Sequence, residues 1–406
     1  MKLRWVILIL LLTGMCLGAV LAVANSSSVA GYAQRYAPPF AIALFYLFVC
    51  LIVIALRLRR GRVIVYNCAF VFLALGIAEL YFRVAPTLRD KDYEVVLTDS
   101  SGKTVPFYHA GDPDLGYANQ PNIVVSANKR ARDGSILYDV KYSIDARGLR
   151  KTLPTNNNGV VFFGDSFVFG EGLNDEETMP QIYSSLSGQC ALNFGVSGYG
   201  AHHMLRELEI GRLEALGVTR PQAIVYTILP HFHISRAAGL APWDQKGPRY
   251  ELIDGEAKYV GSFDETRSLL DRTMSNSAVD AAVLKKYPAA PDSEADRQRF
   301  LAIILKARKI AQEKYHAPFL LLLWNAFLQE NVRSNAEWLA QRLKENQLAT
   351  LELSTVPGLE NADSYIPVDF HPNGNGNTLL AHAVISFLAP YLRESSNAKL
   401  CSQEAH

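Results

Sequence analysis

Val160-Val161-Phe162-Phe163-Gly164-Asp165-Ser166-Phe167-Val168-Phe169-Gly170-Glu171-Gly172 changes character partway along. The apolar run Val160–Phe163 suits a strand buried on both faces, as in the middle of a parallel sheet. Gly164-Asp165-Ser166 ends that run, and glycines at 170 and 172 permit a tight return of the chain. A serine at such a strand end, entering a helix, points its hydroxyl into a cleft. Its own N–H and the helix N-terminus then face a developing oxyanion. The same residues also fit a plain N-cap serine, so the decision rests on whether a base reaches the same place.

Four more short apolar runs follow: Ala191–Phe194, Ala223–Leu229, Phe319–Trp324 and Ala349–Leu353. Helical stripes fill the gaps, with Leu205, Leu208, Leu213 and Leu216 in one and Phe300, Ile303, Ile304, Ala307 and Ala311 in another. Strands alternating with helices predict an α/β fold with a three-layer α/β/α parallel sheet over residues 159–394, ahead of a tail at 395–406. Pro230–Asp292 reads as an insertion of undefined form. Residues 85–158 are turn-rich, and Tyr138, Val140, Tyr142 and Ile144 alternate with polar residues as in a half-buried strand. Asp145-Ala146-Arg147-Gly148 supplies a turn. This stretch is expected to be a strand-containing lead-in packed on the main domain.

In open α/β sheets the chemistry gathers beyond the carboxyl ends of the strands. One such end holds Val368-Asp369-Phe370-His371-Pro372-Asn373, between the last strand and the apolar helix Leu379–Leu388. A serine hydroxyl is a poor nucleophile until a base takes its proton, and histidine suits that task near neutral pH. The histidine needs a group that fixes its tautomer and stabilises the imidazolium, and Asp369 is two residues away. Asp-x-His also fits half a metal site, or a turn capped by its aspartate.

Three segments together resemble the SGNH, or GDSL-like, hydrolase superfamily. They are Gly164–Gly172 followed by Asn174-Asp175-Glu176-Glu177-Thr178, then Asn193-Phe194-Gly195-Val196-Ser197-Gly198-Tyr199-Gly200, and finally Asp369-Phe370-His371-Pro372-Asn373. The resemblance runs from about Gly159 to Leu388 and implies a flavodoxin-like sheet with no cofactor and no metal. It implies Ser166 as nucleophile, His371 as general base and Asp369 as its orienting acid. The N–H groups of Ser166 and Gly198 are the implied oxyanion donors. The family's remaining donor is an asparagine after the third strand, where this chain reads Leu229-Pro230-His231-Phe232-His233-Ile234-Ser235-Arg236. His231 stands nearest that position, and an imidazole N–H can donate in its place. His202-His203 and His231-x-His233 lack the fixed spacing of a metal site. Arg236 reads as a surface ion-pair partner, with binding of an anionic or sugar substrate as the alternative.

The first 84 residues differ in kind from the rest. Trp5–Ala24 and Pro39–Leu56 carry no charge, and Val63–Phe82 carries only Glu79. Each is close to the ~20 residues that cross a bilayer as a helix. Eight basic residues against one acid give this head a charge of +7, which leaves −6 on the remainder. Lys2, Arg4 and the cluster Arg57, Arg59, Arg60 and Arg62 place the N-terminus and that cluster in the cytoplasm, so the third span delivers the body outside. Two readings of the first run stand: a span, or a cleavable signal peptide ending at Ala22-Val23-Ala24. Glu79 is expected at the outer interface. Cys190 and Cys401 are the body's two cysteines, either bonded or both free. The body's net negative charge excludes nucleic acid as a partner.

The sequence thus predicts three N-terminal transmembrane helices over residues 1–84 in a multi-pass protein of the bacterial inner membrane, with its C-terminal domain in the periplasm or outside. The expected activity is that of a serine ester hydrolase on O-acyl, chiefly O-acetyl, esters of cell-envelope or secreted polysaccharide. Its partners would be the acylated glycan and the bilayer. Two alternatives use the same fold: an O-acetyltransferase module working with a multi-span membrane partner, and a non-catalytic glycan-binding module.

Overall fold

The computed structural model describes residues 39–58, 60, 62–88, 93–105, 108–154, 156–241, 243–265, 293–326 and 330–392. The chain divides into two units, residues 1–90 with 267–286, and residues 91–266 with 287–406. In the first, α1 (Pro39–Ala55) and α2 (Arg62–Leu88) pack together, with the rings of Phe48 and Phe70 6.2 Å apart. Among the described residues one helix is long and apolar enough to cross a membrane, through the 18-residue window Arg62–Glu79, and Phe45–Ala55 is a shorter apolar stretch. The expected span Trp5–Ala24 lies outside the described residues. Glu79 is buried on α2.

The second unit is built on five parallel strands. These are β6 (Val160–Gly164), β7 (Ala191–Gly195), β8 (Ala223–Ile228), β11 (Phe319–Leu323) and β12 (Thr350–Glu352), in the order β12-β11-β8-β6-β7. All five apolar runs of the sequence therefore form strands. Side chains alternate across the sheet because the strand period is two. Val161 and Phe163 join Leu205 and Leu208 of α5 (Ala201–Glu209) and Phe300, Ile303, Ile304, Ala307 and Ala311 of α8 (Glu294–Glu313). Val160 and Phe162 face the other way, towards Met179 and Tyr183 of α4 (Met179–Ser187) and Leu380, Ala381 and Val384 of α10 (Gly374–Leu388). Two apolar layers with the sheet between them make the three-layer fold, and each fully buried Leu or Phe contributes ~1.5–3 kcal/mol.

Residues 93–150 form a second sheet that continues the first. Strands β1 (Tyr93–Asp99), β4 (Ile123–Ala131) and β5 (Ile136–Ile144) pair antiparallel in the order β1-β4-β5. The turn at Asp145 forms as expected: its carboxylate accepts from the N–H groups of Arg147 and Leu149, and Gly148 takes a left-handed φ of 80°. Beyond that turn Arg150 bridges Ile144 of β5 to Asn193 of β7. Its guanidinium is fully buried, lies over the rings of Tyr142 and Phe169, and reaches Leu173 O at 2.8 Å and Asp175 Oδ1 at 3.0 Å. Two short strands, β2 (His109–Asp112) and β3 (Gly116–Asn119), form a separate hairpin. The expected insertion after β8 begins with α7 (Pro230–Ala237) and a hairpin of β9 (Pro248–Ile253) and β10 (Glu256–Ser262). The helix α9 (Glu330–Glu345) packs beside α7.

The first turn after β6 is a helix of four residues, α3 (Ser166–Phe169), and it lies against the end of β7. A Cβ on Gly195 would overlap the backbone N of Phe169. Only glycine lets the end of β7 approach α3 this closely, and backbone cannot move aside as a flexible side chain does. We expect Gly195→Ala to destabilise the chain by about 3 kcal/mol. A denaturant midpoint unchanged from wild type would show that the approach is looser than described.

Candidate active site

The site forms where β6, β7 and β8 end. Asp165, not Ser166, caps α3: its Oδ1 accepts the Phe167 N–H at 3.1 Å, while Gly170 closes the turn with φ 81°. Ser166 is therefore the first helical residue, with its N–H free of intrahelical bonding and its hydroxyl available. The plain N-cap reading of this serine fails on that geometry.

His371 arrives from a loop more than 200 residues downstream. Its Nε2 lies 2.8 Å from Ser166 Oγ, and its Nδ1 is bonded to Asp369 Oδ1. The other oxygen of Asp369, Oδ2, accepts from Lys129 Nζ at 2.7 Å. Two bonds close the loop tightly, Ile366 N–H to His371 O at 2.8 Å and Phe370 N–H to Ile366 O at 3.0 Å. Val368 and Phe370, flanking Asp369, take left-handed φ values of 67° and 65°. Such backbone costs of order 1–3 kcal/mol for a non-glycine residue and persists only where surroundings enforce it.

Electrostatics sets the charge of this pair. Burial opposes charge on Asp369, yet hydrogen bonds from His371 and Lys129 outweigh it and hold the carboxyl down at about 2. Burial also opposes the imidazolium of His371, but the Asp369 bond and the charges of Glu171, Asp369 and Asp165 prevail and raise its pKa above the ordinary histidine value. Glu171 itself accepts from Ser197 Oγ at 2.8 Å, and Tyr108 OH lies 2.9 Å from that same hydroxyl.

Two N–H groups complete the arrangement. Among the described residues those of Ser166 and Gly198 donate no hydrogen bond, and they emerge at the carboxyl ends of the paired strands β6 and β7. Gly198 has φ 87°, and a Cβ there would meet Tyr117 OH at 2.6 Å and Trp243 Nε1 at 2.7 Å. Gly198 is thus walled by two aromatic side chains, of which Trp243 is 47% exposed.

The sequence-predicted residues Ser166, His371 and Asp369 come together. His231 lies on α7 with its Nδ1 3.4 Å from Asn335 Nδ2 of α9. Arg236 corrects the sequence reading: it is buried rather than on the surface, with Nη1 2.7 Å from both Asp165 Oδ2 and Tyr199 O. His233 also reaches Asp165 Oδ2, at 3.2 Å from Nε2. Its Nδ1 lies 2.7 Å from Tyr226 OH and accepts the Leu229 N–H, which leaves the proton on Nε2 facing the carboxylate. Burial works against the Asp165 charge, but these partners keep its pKa well below the usual carboxylate range.

Among the described residues His202, His203 and Asp244 form one buried group of potential metal ligands. The Gly200 N–H donates to His203 Nδ1 at 3.2 Å, which places that ring's proton on Nε2, 3.2 Å from Asp244 Oδ1. His202 Nε2 lies 2.7 Å from Asp244 Oδ2. The Asp244 carboxylate thus lies between two imidazoles, hydrogen-bonded to His202 and in ion-pair range of His203. Sequence reasoning missed Asp244 because nothing near it in the chain marks it. Lys129 was missed too, though it left a signal: it continues the inward phase of Val125 and Ala127 along β4, where a lysine is out of place.

The structure thus brings a serine hydroxyl, an imidazole and a carboxylate into one hydrogen-bonded row. No protein-family model matches the chain, and no curated protein matches it. Solved structures similar to it include lipolytic proteins of the G-D-S-L family and esterases. A member of the lipolytic G-D-S-L family from Veillonella parvula is 15% identical, covering 56% of this chain and 96% of its own, with a TM-score of 0.33. The lipase/acylhydrolase from Enterococcus faecalis is 14% identical over 58% of this chain and 96% of its own, at a TM-score of 0.33. An acetyl xylan esterase from the rumen bacterium Butyrivibrio proteoclasticus is 10% identical over 74% and 84%, at a TM-score of 0.36.

A carboxylate whose pKa is lowered on folding stabilises fully above its unfolded value, and loses that contribution as pH falls through the folded value. For Asp369 this window runs from about 4 in the unfolded chain down to about 2. We expect Asp369→Asn to remove about 2 kcal/mol of pH-dependent stability across that window. Denaturation curves of the two proteins recorded between those limits would converge at the acid end; parallel curves would contradict it.

Proposed function

We propose that this chain is an SGNH-type serine esterase whose Ser166, His371 and Asp369 form its catalytic triad. The observation that carries the reading is the 2.8 Å contact between Ser166 Oγ and His371 Nε2, with Asp369 on the far nitrogen. In the first half-reaction Ser166 Oγ attacks an ester carbonyl while His371 Nε2 takes its proton. Asp369 stabilises the imidazolium, and the N–H groups of Ser166 and Gly198 receive the oxyanion. The imidazolium returns its proton to the departing alcohol. A water then repeats the sequence on the acyl-serine, releasing the acid and restoring the hydroxyl. His231 is the proposed third oxyanion donor.

The substrate we propose is an O-acyl, chiefly O-acetyl, ester on cell-envelope or secreted polysaccharide. The exposed Trp243 beside Gly198 supports a sugar-bearing alcohol, since an aromatic face accepts the apolar side of a pyranose ring. The apolar, basic head supports anchoring in a bacterial inner membrane by three spans, with the body on the outer side.

The test uses the full chain in detergent, treated with a fluorophosphonate probe, an activated acetyl ester and acetylated polysaccharide. Wild type should label and release acetate, and Ser166→Ala or His371→Ala should lower the rate by a factor of about 1,000 or more. Because the free base is the active form of His371 and its pKa is raised, kcat/KM should fall on acidification with a midpoint above about 6.5. Acetate release that survives Ser166→Ala would refute the triad.

A further inference from the structure

Lys129 has no place in a serine–histidine–aspartate triad, yet it is almost completely buried against one. It stands on β4 of the antiparallel sheet, 240 residues before its partner, with 5% of its side chain exposed against 1% for Asp369. Its inward position continues the phase of Val125 and Ala127, so the strand carries an ammonium into an otherwise apolar layer. Burying a cation costs several kcal/mol unless a counter-charge is fixed nearby. Here the counter-charge is the carboxylate that holds His371.

The groups that face His371 give this contact a consequence. Asp369 lies on its own loop, Asp165 and Ser166 at the start of α3, and Glu171 on the turn after α3. Asp165 is matched by Arg236 and His233 from α7, whereas Glu171 is met by the hydroxyl of Ser197. Tyr138 of β5 lies beside the Lys129 ammonium, 5.8 Å from Nζ to the ring centroid. Asp369 and Glu171 therefore both favour a protonated imidazole, and Lys129 is the cation bonded to the Asp369–His371 pair from the opposite side. Resting on the esterase reading of that pair, we propose that Lys129 is a positioning residue: it fixes the Asp369 carboxylate and makes the His371 imidazole release its proton more readily than it would beside an Asp369 without that cation.

The sign follows from charge alone. A cation close to a histidine disfavours the imidazolium, so its removal makes the ring more basic. The experiment titrates isotope-labelled histidine in the full chain in detergent by NMR, with the His371 resonance assigned by its loss in His371→Asn. Wild type is compared with Lys129→Gln, which keeps a hydrogen-bond donor without the charge, and with Lys129→Arg, which keeps the charge. Lys129→Met serves as a second uncharged variant should the Gln protein not fold. The uncharged variants should raise the His371 midpoint by about one pH unit, and Lys129→Arg should leave it near wild type. The acidic limb of kcat/KM for an activated acetyl ester should move by the same amount. A midpoint that stays put in a folded uncharged variant, or that moves equally in Lys129→Arg, overturns the proposal. Should wild type cleave no ester while the midpoint still moves, the esterase reading fails and the action of Lys129 on the Asp369–His371 pair stands.

Discussion

A buried carboxylate, that of Asp165, ties together the ends of three strands. Its Oδ1 caps the turn that presents Ser166 after β6. Its Oδ2 is held by Arg236 and His233 from the helix that follows β8. Arg236 passes the constraint on, because the same Nη1 also donates to Tyr199 O in the loop after β7, next to Gly198. A fully buried aspartate without such partners would cost several kcal/mol. With them it becomes a fixed charge on which the Ser166 turn and the loop at Gly198 share one frame. Preorganisation of that kind is what lets hydrogen-bond donors stabilise charge as it develops, without rearranging first.

The segment after β8 departs from the motif pattern that the sequence otherwise resembles. Residues 229–236 contain no asparagine, and the segment directs two of its side chains, His233 and Arg236, inward to Asp165. Chemistry that the resemblance assigns to one exposed amide is thus set beside a buried, charged network. The final loop answers with strain rather than charge. Val368 and Phe370 hold left-handed backbone on either side of Asp369, and the bonds from Ile366 and Phe370 keep the loop shut. Strain of this kind is stable only because Asp369 is gripped at both oxygens.

The parts legible in the sequence were those with a local signature. Runs such as Val160–Phe163 and Phe319–Trp324 announce buried strands by unbroken apolarity, and they form them. Ser166, Asp369 and His371 sit in short motifs, so their meeting was expected from the motifs' order alone. Residues that act through distant partners were not legible. Arg236 is an unremarkable cation until Asp165 is beneath it, and Asp244 is one acid among many until two imidazoles close on it. Lys129 lies between: its inward phase on β4 was visible, but its target, 240 residues away, was not. Sequence reasoning fails where an ionic partner arrives by topology.

That topology changes what the lead-in is. Read from composition, residues 85–158 look like an accessory packed on a catalytic domain. In the structure Arg150 joins β5 to the edge strand β7, filling the space between Tyr142 and Phe169 with a guanidinium that bonds Leu173 and Asp175. Phe169 belongs to the helix that begins at Ser166, and Tyr142 OH accepts the N–H of Gly172 two residues beyond that turn. The antiparallel sheet therefore braces the Ser166 turn from behind while Lys129 reaches the Asp369 carboxylate from the same sheet. Loss of register in β4 and β5 would move both at once, because a one-residue slip turns every inward side chain outward. The two sheets make one site, and the fold of the lead-in is a condition of its geometry.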